Sequence, residues 1–132
     1  MEFIKNGMKK KAIIISIKGY QLSKKEKKLL ANEKPWGLIL FKRNIKSLKQ
    51  IKKLIQKIKK LTKEPKFPIM IDEEGASVSR LKKIIDNNFS QKFLGDIYKI
   101  NNKVGLNFYK NYINNLANLL KRIGVNINTV PV

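Results

Sequence analysis

FPIMIDEEGASVSR, from Phe67 to Arg80, is an apolar run that ends abruptly in Asp72-Glu73-Glu74-Gly75. A buried strand reads this way when it delivers carboxylates to the rim of a pocket. Gly37 to Asn44 (GLILFKRN) repeats the pattern upstream, and a helix-patterned stretch separates the two. Strand, helix and strand in succession imply a parallel sheet whose strand ends share one side.

Working outward, Ala12 to Ile17 (AIIISI) is a β-branched run of strand length, stopped by Lys18-Gly19-Tyr20. Ser23-Lys24-Lys25-Glu26 fits a capping box, so a helix is predicted from there to about Asn32 with Leu29 and Leu30 as its buried side. Pro35 is expected to end it, and Gly37 to Phe41 to form the second strand. Ser47-Leu48-Lys49-Gln50 predicts a second capping box. It opens a helix in which Leu48, Ile51, Leu54, Ile55, Ile58 and Leu61 recur at helical spacing. Phe67 to Ile71 is the third strand, and Lys82 to Asn102 is expected to be irregular, with Asn87-Asn88, Gly95 and Asn101-Asn102 as breakers. A third main helix is predicted from about Lys103 to Ile123, buried through Leu106, Tyr109, Ile113, Leu116, Leu120 and Ile123 and closed by Gly124. Val125 to Val132 begins a fourth strand.

The fold class is therefore α/β, with about four parallel strands and three main helices. Such crossovers build either a doubly wound sheet or a (β/α)8 barrel, and a barrel typically needs about 250 residues. With 132 residues the chain supplies roughly the N-terminal half of a TIM-type barrel. Both edges of its sheet are expected to be unpaired, a hazard unless something covers them.

Composition narrows the function. The formal charge is +21, yet only Arg43, Arg80 and Arg122 among the 30 basic residues are Arg. Recognition of base edges and bidentate phosphate binding favour the guanidinium fork, and abundant Lys, Ile and Asn together read as an AT-rich coding bias. The basic face Lys49, Lys52, Lys53, Lys57, Lys59 and Lys60 is accordingly expected to be a solvated outer surface. A nucleic-acid or anionic-surface module built on Lys42 to Lys66 is the alternative function, but aromatic stacking platforms are not interleaved with the basic run. Neither specific nucleic acid nor membrane is expected as a partner. The chain contains no Cys and no His, so disulfides, thiolate metal sites and the usual general base near neutral pH are excluded. Lys9 to Lys11 before Ala12 to Ile17 mimics a signal peptide, but the apolar run is too short and a cytoplasmic location is expected.

Three motifs, each at a predicted strand end, carry a resemblance that covers nearly the whole chain from about Ala12. The succession runs from Gly19-Tyr20 through Gly37-Leu38-Ile39-Leu40-Phe41-Lys42-Arg43-Asn44 to Ile71-Asp72-Glu73-Glu74-Gly75 with Val78 and Arg80, then Val130-Pro131-Val132. It resembles the bacterial β-N-acetylhexosaminidases of glycoside hydrolase family 3, cytoplasmic glycosidases that trim N-acetylglucosamine from peptidoglycan fragments during cell-wall recycling. The resemblance implies a hydrolase of carbohydrate metabolism with its pocket at the C-terminal rim of the barrel. It also implies a muropeptide substrate containing N-acetylglucosamine, and no cofactor. The substrate-binding Asp of the motif falls on Asp72, which would accept hydrogen bonds from sugar hydroxyls. Glu74 and Arg80 match as well and are expected to organise the loop, as an ion pair.

Departures matter equally. Glu73, Ala76 and Ser77 stand where the family usually has Gln, Gly and Arg, and the Ala is expected to strain a turn suited to Gly. The family draws its nucleophilic Asp and its His–Asp acid/base dyad from the second half of the barrel. Residues 1–132 are therefore expected to form an incomplete barrel domain, truncated after strand four, with no catalytic residue of its own and inactive unless a complementary C-terminal chain supplies the rest. Asp72, Glu73 and Glu74 come from one segment. Asp72 and Glu73 are expected to point to opposite faces, Asp72 and Glu74 share a side and approach a sugar from one direction, and the three are too few to hold a metal.

Overall fold

The computed structural model describes residues 2–5 and 8–130, with side chains from residue 10 onward. Its elements in chain order are β1 (Glu2–Lys5), β2 (Met8–Ile15), α1 (Lys24–Asn32), β3 (Pro35–Leu40), a 3₁₀ turn at Lys42–Asn44, and α2 (Leu48–Thr62). There follow β4 (Ile69–Ile71), α3 (Gln91–Ile100), α4 (Asn102–Ile123) and β5 (Ile127–Asn128). The sheet has five strands in sequential order. β2, β3, β4 and β5 are mutually parallel, as expected, but β1 pairs with β2 antiparallel. That hairpin corrects the expectation that both edges of the parallel array stand open: the β2 edge is covered. Predicted strand four lies partly outside the described residues, because Pro131 and Val132 are not described.

Helix starts were the most legible feature. At Ser23 both halves of the capping box form, Glu26 N–H donating to Ser23 Oγ (3.2 Å) and Ser23 N–H donating to Glu26 Oε2 (2.7 Å). At Ser47 only half does. Gln50 N–H donates to Ser47 Oγ (3.2 Å), while Gln50 Oε1 accepts from Lys46 N–H (2.9 Å), one residue earlier than a box requires. The first helix ends before Pro35, which begins β3 instead of stopping α1. The expected irregular stretch from Lys82 to Asn102 is corrected at its second half. Ser90 Oγ accepts from Phe93 N–H and starts α3, which runs through Gly95. A glycine inside a helix costs only about 1 kcal/mol relative to Ala, so it does not break an otherwise helical pattern.

The core lies between one face of the sheet and the helices. Leu38, Leu40, Ile69 and Ile71 from β3 and β4 meet Leu30 of α1, Ile51, Leu54, Ile55 and Ile58 of α2, and Leu116, Leu120 and Ile123 of α4. Leu29 is corrected: it is 39% exposed, and Leu30 alone is the buried residue of α1. Leu48 is likewise exposed and Leu61 only half-buried. In α4 the predicted stripe divides. Its C-terminal half enters the core, but Leu106, Tyr109 and Ile113 stay substantially exposed on the stretch that adjoins α3. Strand register turns Ile14, Ile39, Met70 and Ile127 to the opposite side of the sheet from the core residues, and none of the four belongs to the core cluster. This second face is apolar and incompletely covered, with Ile14 47% exposed.

Among the described residues no helix is long and apolar enough to cross a membrane. The sheet's other end is tied by Lys10, buried against the Phe67 ring and paired with Glu64.

Gly124 closes α4 in the left-handed region at φ 97°, and a Cβ there would lie 2.8 Å from Ile55 Cγ2 on α2. Gly124→Ala is expected to lower stability by about 1–3 kcal/mol, read as a reduced urea midpoint with an unchanged slope.

Candidate functional site

β4 ends at Ile71, and the chain then runs without regular structure from Asp72 to Ser90. Period-two alternation continues past the strand. Ile69 and Ile71 face the core, and Glu73 follows them inward to complete burial, while Asp72 stays partly exposed at the rim. Asp72 and Glu73 thus point to opposite sides, as the alternation predicts.

Asp72 is held from two directions. Its Oδ2 accepts from Arg80 Nη2 at 2.9 Å, and its Oδ1 accepts from the Thr129 hydroxyl beyond β5. Partial burial pushes the Asp72 carboxyl upward, but the Thr129 hydroxyl and the Arg80 guanidinium outweigh it and hold the group below the usual Asp range. It is ionised near neutral pH. Each carboxylate oxygen has a further lone pair, so the group can accept additional hydrogen bonds from a ligand.

The ion pair Arg80–Asp72 corrects the expected pairing of Arg80 with Glu74. Glu74 joins the loop through its backbone: its N–H donates to Val78 C=O (2.8 Å) and its C=O accepts from Gln91 Nε2 (3.1 Å). Arg80 also lies over the Phe41 ring, at 5.6 Å, and Arg43 lies over the same ring at 4.6 Å. Arg43 in turn donates to Ile17 C=O and Ser16 Oγ, and buried Asn44 donates to Ile17 C=O and Gly19 C=O. The segments Gly19-Tyr20, Phe41 to Asn44 and Asp72 to Arg80, separated in sequence, are therefore joined at the C-terminal ends of β2, β3 and β4.

Glu73 is the organiser that sequence reading missed. Its Oε2 accepts from the backbone N–H groups of Arg80 (2.8 Å) and Leu81 (2.9 Å), and its Oε1 from Asn87 Nδ2 (2.7 Å). Asn87 Oδ1 accepts from the Tyr112 hydroxyl at 3.0 Å, linking the loop to α4. Asn128 completes the frame by side-chain mimicry of a strand, accepting from Glu73 N–H (2.9 Å) and donating to Glu73 C=O (3.0 Å). The signal was available: Glu73 is two residues beyond Ile71 on a buried alternation, where a carboxylate must find donors. Ala76 shows no strain, because the positive-φ residues other than Gly are Lys34 and Lys63. The position that requires Gly is Gly75, at φ 127°, where a Cβ would meet Phe89 O at 2.0 Å. Tyr112 proves to be a hydrogen-bonded brace, and Tyr109 is an exposed surface residue.

Among the described residues no three acidic, His or Cys side chains converge to hold a metal ion. Among the described residues neither neighbouring carboxyl faces Asp72 across an open space: Glu73 is buried and engaged, and Glu74 comes from the same segment.

A β-hexosaminidase from Hydrogenovibrio crunogenus is 30% identical over 120 residues, covering 91% of this chain and 33% of that protein. One from Idiomarina loihiensis is 37% identical over 92 residues, covering 69% of this chain and 26% of the relative. The chain is a relative of the β-hexosaminidases. It spans about a third of the length of the curated relatives it matches. Crystalline NagZ from Neisseria gonorrhoeae, in complex with N-trifluoroacetyl-D-glucosamine, superposes with a TM-score of 0.73 at 28% identity, over 92% of this chain and 36% of NagZ. A glycoside hydrolase family 3 β-N-acetylglucosaminidase from Paenibacillus sp. str. FPU-7 shares the fold, with a TM-score of 0.66 at 20% identity over 89% of this chain and 22% of that protein. No protein-family model matches the chain. The parallel α/β array is thus the arrangement of the N-terminal part of NagZ.

Two outcomes are expected. Glu73→Ala strands three donors and should cost about 3 kcal/mol or more by urea denaturation, whereas Glu73→Gln keeps one acceptor oxygen and should cost less. Because the Asp72 pKa is lowered on folding, its contribution is present above the unfolded Asp value, about 3.9, and disappears as pH falls through the folded value. The stability gap between wild type and Asp72→Asn should accordingly hold steady from about pH 5 upward and shrink in acid.

Proposed function

We propose that the chain supplies the N-terminal part of the wall, and the sugar-anchoring corner, of a β-N-acetylhexosaminidase. Asp72 is the acceptor for hydroxyls of the N-acetylglucosamine unit in the cleaved subsite, and Arg80 and Thr129 fix its orientation. The observation that carries this reading is an ionised carboxylate at a strand's C-terminal end with lone pairs to spare, on a fold that superposes on NagZ crystallised with a glucosamine derivative.

The chemistry on this chain stops at binding. Retaining glycosidases need two carboxyl groups about 5 Å apart flanking the scissile bond. Among the described residues Asp72 has no opposing carboxyl partner, and the sequence has no His to serve as acid or base. Residues 1–132 form an incomplete barrel domain, and the nucleophile and the acid/base pair belong to further polypeptide that supplies the remaining strands. The apolar second face of the sheet, with Ile14, Ile39 and Ile127 incompletely covered, supports this reading, since such a face is the inner wall of a closed barrel. The completed enzyme would hydrolyse terminal β-linked N-acetylglucosamine of muropeptides by double displacement, in the cytoplasm and in peptidoglycan recycling.

The test is a pair of measurements on the purified chain. A chromogenic N-acetyl-β-glucosaminide should remain uncleaved, and N-acetylglucosamine should shift amide resonances of the Asp72–Arg80 loop. Asp72→Asn should weaken that binding by about tenfold or more, as loss of hydrogen bonds to a charged group does. Turnover by the chain alone would overturn the assignment of chemistry to missing strands. Equal sugar binding by wild type and Asp72→Asn would remove Asp72 from the site.

A further inference from the structure

Between the outer face of α2 and the loop that follows β2 lies a groove of about 610 Å³, and no residue from Asp72 to Arg80 lines it. Lys46, Lys49, Lys53 and Lys57 line it, with Tyr20 and Leu22 on its other side. Lys49, Lys53 and Lys57 recur every fourth residue on one face of α2 and are exposed. Their spacing places the first and last about 12 Å apart along the helix axis.

Nothing acidic neutralises them. α2 contains no Asp or Glu, and among the described residues none of the four lysines takes part in an ion pair. The acidic residues of the adjoining helix are occupied: Glu26 by its capping box and by Lys18 N–H, and Glu33, beyond its end, by Lys11. Lys59, on the same helix, is engaged differently: it donates to Gly124 C=O at 2.9 Å and braces α4. The groove therefore concentrates uncompensated positive charge in a concave track.

We infer that this groove binds the phosphate backbone of a nucleic acid, without sequence preference. At about 3.4 Å of helix axis per phosphate on one strand, the track from Lys49 to Lys57 spans about four phosphates. Ammonium groups act as point charges and lack the fork that reads base edges, so contact stops at the backbone. An anionic membrane fits less well. The apolar face of α2, with Ile51, Leu54, Ile55 and Ile58, is buried in the core and leaves little to insert among lipids. This activity is independent of sugar binding.

Fluorescence anisotropy with a short labelled mixed-sequence DNA duplex, titrated at rising salt, tests the inference. Four neutralised phosphates correspond to a log–log slope of about −3.6, so affinity should fall about a hundredfold between about 50 and 200 mM salt. The variant K46Q/K49Q/K53Q/K57Q should flatten most of that slope. K99Q/K103Q/K110Q/K121Q, which removes the same charge from exposed positions on α3 and α4, should leave most of it. Thermal melts by circular dichroism establish that both variants are folded. Equal losses in the two variants would show diffuse polycation behaviour and overturn the groove assignment, as would absence of duplex binding at about 50 mM salt. Tighter binding of phosphatidylserine vesicles than of duplex would make the partner a membrane and overturn it equally.

Discussion

A fully buried carboxyl group, with no ion pair among the described residues, holds the rim of this molecule together. Glu73 is fully buried, and three N–H donors, two from the backbone and one from Asn87, converge on its two oxygens. Burying such a group is costly unless its lone pairs are satisfied, and satisfying them draws the chain from Arg80 to Asn87 back over the end of β4. Once the loop is returned, Arg80 lies where it can reach Asp72, and Phe41 offers both Arg80 and Arg43 an aromatic face. The geometry of Asp72 thus depends on a residue that faces away from the rim.

The same segment divides labour between neighbours. Strand alternation sends Asp72 outward and Glu73 inward, so one position of the motif is available to a ligand and the next to the scaffold. Asn126 and Asn128 extend this economy to β5, whose two residues are too few for much pairing: their side-chain amides exchange hydrogen bonds with Ile69, Phe67 and Glu73 backbone and prolong the ladder. Thr129 then brings its hydroxyl to Asp72. A short fourth parallel strand is enough to complete the corner because side chains continue what the backbone begins.

Charge and apolar surface overlap only in part. Lysines occupy the outward sides of the helices, with a concave concentration beside α2, while the uncovered apolar residues lie on the second face of the sheet and on α3 and the start of α4. The related hexosaminidases continue for about twice this length again.

Local chemistry made much of this legible from the sequence. Ser23, Ser47 and Gly124 marked helix boundaries because capping is decided within four residues, and the apolar runs of β3 and β4 marked parallel strands because such strands bury both faces. The abrupt carboxylates after Ile71 marked the end of β4. What only the tertiary structure decided is partnership over long separations: Arg80 with Asp72 instead of Glu74, Thr129 and Asn128 against the end of β4, and the β1 hairpin on the edge of β2. α3 was lost between the two levels, since Asn and Gly residues masked a weak helix that packing on α4 stabilises. Periodicity and capping are properties of neighbours along the chain, whereas a buried carboxylate or an ion pair takes its partners from whichever segments the fold brings within 3 Å.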